Sequence, residues 1–468
     1  MATYDLNESQ FNALMSTHVD AATLTAIDNY LIGKGFFGPD VAFQELTGST
    51  IKDPAANVIY DNSPYNGINS NDPPTLIVVG SDKTFNLTGS VDEGIVIADP
   101  GNVHLTLSDT GNDVVWANTQ FANTIKAGAG HDTINANGSS GNDVYIALST
   151  ANATIFGGHG NDTFVVDTLN AGTAGHDFVA GTGTGSNTMY GGPGADTLDA
   201  SQSSGNNQLW AGSGSQTLLA GHGHDLLEGG KLGDTSSDSM VGGGGDATIV
   251  ALSNGHNTLI GGSGNDTLVS AGNGHDSLVG GSGATQIYDI GGGTNTLVGS
   301  SSGTFMYAQQ TSNNDTWFLN GKDTMYGSTG DNTVSVTGNA NQIVLFGTDN
   351  VTISGAGSDT LWAGSGTDSV NATGSTSDDN FILKSGTATI DGGSGHNTFE
   401  FTQGFGDSTV DGGTSGANTA YFDNLKSTDA TINHTPGSAT TTVTFGGHTV
   451  TISDIQDIHF TDIDFKPT

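Results

Sequence analysis

The sequence predicts an all-β fold, a parallel β-roll or β-solenoid of nonapeptide repeats with a small helical cap at its N-terminus. Three observations predict it. Glycine accounts for 73 of the 468 residues. A nine-residue pattern recurs along most of the chain, and the hydrophobic residues, 34% of the total, keep a constant place in it. This regular spacing excludes a disordered chain, which cannot build a core.

The repeat unit reads G-G-x-G-x-D-x-U-x, where U is an apolar residue. Its clearest copies are residues 157–164, 191–198 and 261–268, and good near-copies are 127–134, 271–278 and 363–370. We expect the glycines to allow a tight turn with positive φ and the next residues to form a short strand with U inside. One unit cannot bury its apolar residue alone, so two units should make one coil in a stack of about 16 coils.

Three regions follow from where the repeat is present. Residues 101–421 are the predicted β-roll, and residues 422–468 are a β-rich C-terminal cap. Residues 1–100 do not repeat; apolar residues at helical spacing predict two short helices, over residues 7–15 and 21–31, followed by strands. The favoured interpretation is that this region covers the open end of the solenoid. The alternative is a docking element for another subunit or for the cell surface.

Charge and composition limit the classes of ligand and partner that the protein can bind. The chain has 48 acidic residues against nine Lys and Arg, for a formal net charge of −39. Such a chain repels itself and attracts cations, and it has no basic patch for nucleic acid. The absence of cysteine excludes disulfides and thiolate metal sites. No apolar run approaches the roughly 20 residues of a transmembrane helix, so none is expected.

These tandem units resemble the RTX family, the hemolysin-type calcium-binding repeats, over about two thirds of the chain. The resemblance implies that several Ca²⁺ ions lie between the turns of successive coils. Backbone carbonyls and the sixth-position Asp, here called the marker, would be the ligands. It also implies one-step type I export from a Gram-negative bacterium, with the acidic, strand-like residues 422–468 as an uncleaved secretion segment.

A strong site requires Asp at the markers of two turns one coil apart. The best pairs are Asp113 with Asp132, Asp143 with Asp162, Asp177 with Asp196, and Asp359 with Asp379. Weaker candidates keep one Asp: Asp266 facing Thr285, Asp276 facing Asn257, and Asp368 facing Asn350, and Asp225 completes the set of predicted ligands. Markers that are Asn, Gln, Ala or Thr predict metal-free turns closed by side-chain hydrogen bonds.

Three other residue types invite a functional interpretation. Five His residues lie in the loops, at 131, 159, 224, 275 and 396, where exposed loop positions are favoured over a Zn²⁺ or Ni²⁺ strip. Trp116, Trp210, Trp317 and Trp362 lie at or near strands, where packing is favoured over sugar stacking. Thr recurs directly after the marker, which predicts outward Thr ladders.

The predicted function is that of a secreted calcium-binding structural protein: a surface layer, extracellular matrix filament or adhesin whose folding and assembly Ca²⁺ promotes. We expect the protein to associate with copies of itself, and a cell-surface polysaccharide is a further candidate partner. The expected location is the cell surface or biofilm matrix. No catalytic motif is present, so we do not expect an enzyme. The alternatives are an extracellular enzyme acting on polysaccharide or peptide, and an ice-binding solenoid.

Overall fold

The structure, a computed structural model, describes residues 4–35, 41–46, 58–61, 68–70, 76–80, 84–98, 101–107, 110–309, 313–414, 417–422 and 424–467. The chain divides into two units, residues 1–231 with 236–246, and residues 232–235 with 247–468. Each unit is a parallel β-solenoid in which successive strands alternate between two sheets, and the two units together contain about 17 turns. The predicted all-β roll is therefore confirmed.

The first unit contains two helices, α1 (Glu8–Met15) and α2 (Ala21–Gly33). Its strands are β1 (Tyr4–Leu6), β2 (Val41–Leu46), β3 (Val58–Asp61), β4 (Ile68–Ser70), β5 (Leu76–Val79), β6 (Thr84–Gly89), β7 (Gly94–Ile97), β8 (His104–Leu107), β9 (Val114–Trp116), β10 (Thr124–Lys126), β11 (Asp132–Asn135), β12 (Val144–Leu148), β13 (Ala153–Phe156), β14 (Thr163–Asp167), β15 (Asp177–Val179), β16 (Thr188–Tyr190), β17 (Thr197–Asp199), β18 (Gln208–Trp210), β19 (Thr217–Leu219), β20 (Asp225–Gly229) and β21 (Ser239–Val241).

The second unit contains one 3₁₀ turn, Ser427–Asp429, and the remaining strands. They are β22 (Ala247–Ala251), β23 (Thr258–Ile260), β24 (Thr267–Ser270), β25 (Ser277–Val279), β26 (Thr285–Asp289), β27 (Thr296–Val298), β28 (Thr304–Ala308), β29 (Thr316–Leu319), β30 (Thr324–Tyr326), β31 (Thr333–Val336), β32 (Gln342–Val344), β33 (Asn350–Ile353), β34 (Thr360–Ala363), β35 (Thr367–Asn371), β36 (Asn380–Leu383), β37 (Thr387–Asp391), β38 (Thr398–Phe401), β39 (Ser408–Asp411), β40 (Thr419–Phe422), β41 (Thr431–His434), β42 (Thr440–Phe445), β43 (His448–Ser453), β44 (Asp457–His459) and β45 (Asp464–Phe465).

Strands two apart in the chain pair in parallel, which forms two sheets in each unit. We call the sheets A1 (β1 and the odd-numbered strands β3–β21 with β2) and B1 (even-numbered strands β4–β20) in the first unit. In the second unit they are A2 (odd-numbered strands β23–β43 with β42) and B2 (even-numbered strands β22–β44, without β42, together with β45). In sheet B1, Tyr145 is the register partner of Phe164, and Phe164 of Met189. All three are fully buried, so the U row forms the core, as predicted.

Both predicted helices are present, and they pack against the outer face of sheet A1. Their buried residues Phe11, Met15, Ile27 and Leu31 form one cluster with Leu76, Val78, Val96 and Trp116 of sheet A1. Strands β5 and β7 are buried on both faces because one face lines the core and the helices cover the other. At the edge of the sheet, β1 pairs antiparallel with β2. The helices are thus a cover for the side of the solenoid.

The limits of the roll differ from the sequence prediction at its N-terminal side. Parallel pairing begins at β2 with β3 and continues through β5 and β7, so coils are already present before residue 101. The signal was hidden because these first strands lack the glycine-rich turns. At the C-terminal side, β43 and β44 continue the parallel sheets, and β41, β42 and β45 add antiparallel strands. Residues 422–468, predicted to be β-rich, contain strands β41–β45 in the part that the structure describes.

In the three clearest copies of the motif, the glycines are required by close packing between turns and not by positive φ. None of the glycines in the three clearest copies is among the residues with positive φ. A Cβ atom at Gly160 would lie 1.8 Å from the carbonyl oxygen of Gly141, one coil away, and one at Gly194 would lie 1.9 Å from that of Ala174. Successive turns therefore stack backbone on backbone, and only glycine permits this approach.

Candidate functional site in the turns

The marker residues form a column along each edge of the roll, one column before the strands of each sheet. In the first unit, the Asn123 N–H donates to Asp143 Oδ1 at 2.7 Å, and the Asp143 N–H donates to Asp162 Oδ1 at 2.9 Å. The Asp162 N–H then donates to Asn187 Oδ1 at 2.9 Å. Each marker side chain thus accepts a hydrogen bond from the marker backbone of the preceding coil, and the column connects turn to turn.

Six of the predicted carboxylates make the same pair of hydrogen bonds. In each, Oδ1 accepts from the marker N–H one coil earlier, and Oδ2 accepts from the N–H of a glycine four residues before it. At Asp162 the donors are Asp143 and Gly158. The six residues are Asp132, Asp162, Asp196, Asp225, Asp266 and Asp368. This pairing explains the Asp of the motif, whereas the glycine is required by close packing, since a Cβ at Gly158 would lie 2.2 Å from the carbonyl oxygen of Ser139.

Five further predicted carboxylates also lie in the columns. Asp113, Asp143, Asp276, Asp359 and Asp379 each accept the marker N–H of the preceding coil through Oδ1. Three of the four predicted Asp pairs are therefore neighbours in the structure: Asp113 with Asp132, Asp143 with Asp162, and Asp359 with Asp379. Asp276 faces Asn257 as expected, and Asp266 faces Ala247 on one side.

Two predicted positions need correction because the coil length varies. Asp177 is exposed and begins strand β15, in register with Thr197. The marker in that turn is His176, which is buried and donates its N–H to Asp196 Oδ1 at 2.8 Å. Likewise, Asp368 faces Asp349 and not Asn350, since it is the Asp349 N–H that donates to Asp368 Oδ1. In both turns the marker is the residue just before the predicted one.

Several acidic markers were missed by the sequence pattern. Asp238, Asp315, Asp323 and Asp349 accept the marker N–H of the preceding coil, and Glu93 donates its N–H to Asp113. The usable signal was the short string of Asp, then Ser or Thr, then an apolar residue, as in Asp315-Thr316-Trp317 and Asp323-Thr324-Met325. The full glycine motif in front of it is absent at these turns.

Burial and neighbouring acids raise the pKa of many markers. Burial is the main cause at Asp162, whose pKa rises to about 6, with Asp143 adding repulsion. Burial and then Asp379 raise the pKa of Asp359 to about 6, and burial and then Asp349 raise that of Asp368 to about 7. Two ionised carboxylates one coil apart oppose each other in a site of low polarity. A cation between them would remove this repulsion.

The donor atoms of these turns fit a hard divalent cation. The pairs Asp143–Asp162, Asp349–Asp368 and Asp359–Asp379 offer carboxylate oxygens, and Oδ2 of Asp359 has no hydrogen-bond partner although it is buried. In the described residues, no three Asp, Glu or His side chains gather as a metal cluster. Backbone carbonyls of the glycine turns would therefore supply the remaining oxygen ligands that Ca²⁺ prefers. When bound, the ion would supply positive charge at the turn.

The neutral markers show how a turn closes without charge. Asn187 N–H donates to Asn207 Oδ1 at 3.0 Å, and Asn341 and Asn397 accept through Oδ1 in the same way from Asp323 and Asp379. An amide oxygen thus replaces the carboxylate oxygen in the column. The predicted side-chain closure of the Asn turns is confirmed, because these bonds link the same backbone positions.

A comparison with protein families matches the repeats. The model of the RTX calcium-binding nonapeptide repeat matches residues 108–149, 171–202, 201–236, 232–268, 252–287, 319–344 and 347–375. The matched stretches of this chain are RTX-type calcium-binding nonapeptide repeats, and the β-solenoid fold fits them. No curated protein and no solved structure matches it significantly. RTX nonapeptide repeats are calcium-binding repeats, so Ca²⁺ is the ligand of these turns. Such repeats are typical of secreted proteins.

The His and Trp residues considered in the sequence analysis lie at the surface, in the core or on sheet faces of this chain. The five loop His residues, His131, His159, His224, His275 and His396, are all exposed. Trp317 is fully buried in the core and Trp116 lies under the helices, whereas Trp210 and Trp362 are half-buried on outer sheet faces. No helix in the described ranges is both long and apolar enough to cross a membrane.

Proposed function

We propose that this RTX protein is a secreted structural protein whose folding and self-association depend on Ca²⁺. The observation that carries the proposal is the pair of marker columns in each unit, where buried carboxylates of raised pKa face one another. Without a cation, ionised columns destabilise the coils; with Ca²⁺ bound, metal-binding free energy becomes folding free energy. The protein would be exported unfolded by a type I system where calcium is scarce and would fold outside the cell.

The charge and the sheet edges bear on when and how copies would associate. The formal net charge of −39 repels a second copy until cations neutralise it. At the edges that the structure describes, β1 has three residues and β45 has two. Short edge strands are a common device against edge-to-edge pairing. We therefore expect copies to associate through the broad outer faces of the sheets, as in a surface layer or matrix filament.

The test is a Ca²⁺ titration of the metal-free protein, followed by circular dichroism and by static light scattering on the same samples. The expected result is a coil-to-β transition with an increase in mass, absent with the same concentrations of Mg²⁺. A folded protein that remains monomeric at high concentration in millimolar Ca²⁺ would refute self-association. A protein that is fully folded after chelation would refute calcium-dependent folding.

One observation favours a second candidate, an ice-binding role. On the outer face of sheet A2, hydroxyl residues align on five consecutive strands, at Thr258, Ser277, Thr296, Thr316 and Thr333. A regular hydroxyl row can order water, but Thr is also simply a good strand residue. The next partner in this row is Asn350, which interrupts the hydroxyls. Thermal hysteresis of the calcium-loaded protein would favour this candidate, and none would exclude it.

A further inference from the structure

An aromatic strip lies on the outer face of sheet B2. Tyr288 on β26, Tyr326 on β30 and Trp362 on β34 occupy the same outward row, with Tyr307 and Val344 on the strands between them. Phe305 of the neighbouring outward row joins the strip, with ring centroids 6.0 Å from Tyr288 and 5.9 Å from Tyr326. The strip crosses five adjacent strands, a length of about 19 Å at the usual strand spacing.

The strip leads into a depression with polar walls. Phe305 and Tyr326 are each 37% exposed, so their rings are accessible from solvent. Beside Tyr326, a cavity of about 320 Å³ is lined by Thr324, Tyr326, Gln342, Val344, Trp362 and Lys384. A second one of about 200 Å³ continues past Trp362 and also includes Lys384. Gln342 and Lys384 are exposed, so they can donate hydrogen bonds to a ligand.

This combination fits a sugar chain. Aromatic faces carry negative charge density and attract the C–H groups on the apolar face of a pyranose ring. The amide, hydroxyl and ammonium groups around the cavity can bond the sugar hydroxyls at the rim, as in most small-ligand sites. The spacing of about 4.8 Å between strands is close to the advance per sugar in an extended β-linked glycan. Successive strands would thus meet successive sugars.

We propose that the strip binds a neutral, extended, β-linked polysaccharide. A polyanionic glycan is disfavoured by the net charge of −39 and by the presence of a single Lys in the cavity wall. A second copy of the chain is disfavoured because a strip one side chain wide falls well short of the roughly 800 Å² per partner in a stable protein interface. This function is additional to calcium-driven folding and does not depend on self-association.

The experiment is affinity electrophoresis of the calcium-loaded full chain in native gels that contain hydroxyethyl cellulose, mixed-linkage β-glucan or alginate. We expect retardation by at least one neutral glucan and none by alginate. Trp362→Ala and Tyr326→Ala should each weaken binding about tenfold, the loss expected for one stacked ring, and Trp362→Tyr should restore most of it. The matched control is Phe318→Ala, on sheet A2, because Phe318 is 39% exposed and lies outside the strip.

If the circular dichroism spectrum of each variant in Ca²⁺ equals that of the parent protein, a loss of glucan binding does not come from unfolding. The proposal is overturned if neither neutral glucan retards the parent protein, if alginate alone does, or if Phe318→Ala weakens binding as much as Trp362→Ala. It is also overturned if Trp362→Ala leaves glucan binding intact but lowers the self-associated mass, since the strip would then be a contact between copies.

Discussion

At the residue scale, one Asp side chain makes two hydrogen bonds in six of the turns. Oδ1 accepts from the marker N–H of the preceding coil, and Oδ2 accepts from a glycine N–H four residues earlier, as at Asp162 with Asp143 and Gly158. Where the marker is Asn, a Ser often replaces that glycine and donates its hydroxyl to the amide oxygen, as in Ser203–Asn207, Ser253–Asn257 and Ser328–Asn332. The chain thus contains a charged and a neutral version of the same turn.

The residue-scale prediction concerns Asp359, which faces Asp379 and has an unpartnered Oδ2. Asp359→Asn keeps an oxygen to accept from the Asn341 N–H but removes the charge. We expect at least one fewer bound Ca²⁺ by equilibrium dialysis, and a free energy of unfolding in chelator that is higher by on the order of 1 kcal/mol. Asp177→Asn is the matched control, because Asp177 is exposed and outside the column. Equal ion counts for Asp359→Asn and the parent would contradict the assignment.

At the element scale, the two helices stabilise the first coils by covering their outer face. Asn7 forms a capping box with Gln10 at the start of α1, and Asp20 caps α2 by accepting from the Ala22 and Thr23 N–H groups. Gly94 leaves room for the Tyr30 ring, since a Cβ there would lie 2.9 Å from Tyr30 Cε1. Strands β5 and β7 therefore carry apolar residues on both faces because one face lines the core of the solenoid and the other packs against the helices.

The element-scale prediction compares two neighbouring residues of α2. Leu31 is fully buried against sheet A1, whereas Ile32 is 52% exposed. Leu31→Ala should destabilise the helix cover by about 2–5 kcal/mol, and Ile32→Ala should change stability by no more than about 0.5 kcal/mol. Hydrogen exchange of the β5 and β7 amides should become faster only in Leu31→Ala. Similar exchange in both variants would mean that the helices do not protect these strands.

At the scale of the whole molecule, stability depends on how the acidic charge is neutralised. The sequence has 48 acidic residues and nine Lys and Arg, so repulsion acts over the whole chain. Protons would neutralise the same buried carboxylates that we expect to bind Ca²⁺. Burial raises the pKa of Asp289 and of Asp368 to about 7, and Asp315 and Asp349 shift in the same direction for the same reason.

The whole-molecule prediction is a stability that falls with rising pH in chelator. A carboxyl whose pKa is raised in the folded state binds its proton more tightly there, so its contribution is complete below its unfolded pKa, near 4, and is lost as pH rises through the folded value. For Asp162, Asp359 and Asp368 that loss falls between about pH 4 and 7, from the unfolded pKa to the folded values of about 6 and 7. The thermal midpoint should decrease over this interval, and saturating Ca²⁺ should remove the decrease. A midpoint that rises with pH in chelator would contradict it.

The sequence by itself determined the repeat, the parallel roll and the chemistry of its turns. These features are local or periodic: Leu198 had to face inward because its strand of three residues, Thr197–Asp199, has one inner position. The capping residues and apolar spacing of α1 and α2 were readable for the same reason. Eleven of the twelve predicted Asp ligands lie in the marker columns, namely all except Asp177.

Only the tertiary structure decided the register of each coil, the place of the helices and the presence of the aromatic strip. Register depends on loop length, and one extra residue exchanges His176 for Asp177 or Asp349 for Asn350 at the marker. The helices found sheet A1 because its outer face is apolar at Leu76, Val78 and Val96. These positions are far from the helices in sequence. Tyr326 and Trp362 are likewise two strands apart in the sheet, and only stacking of the coils places them on one cavity.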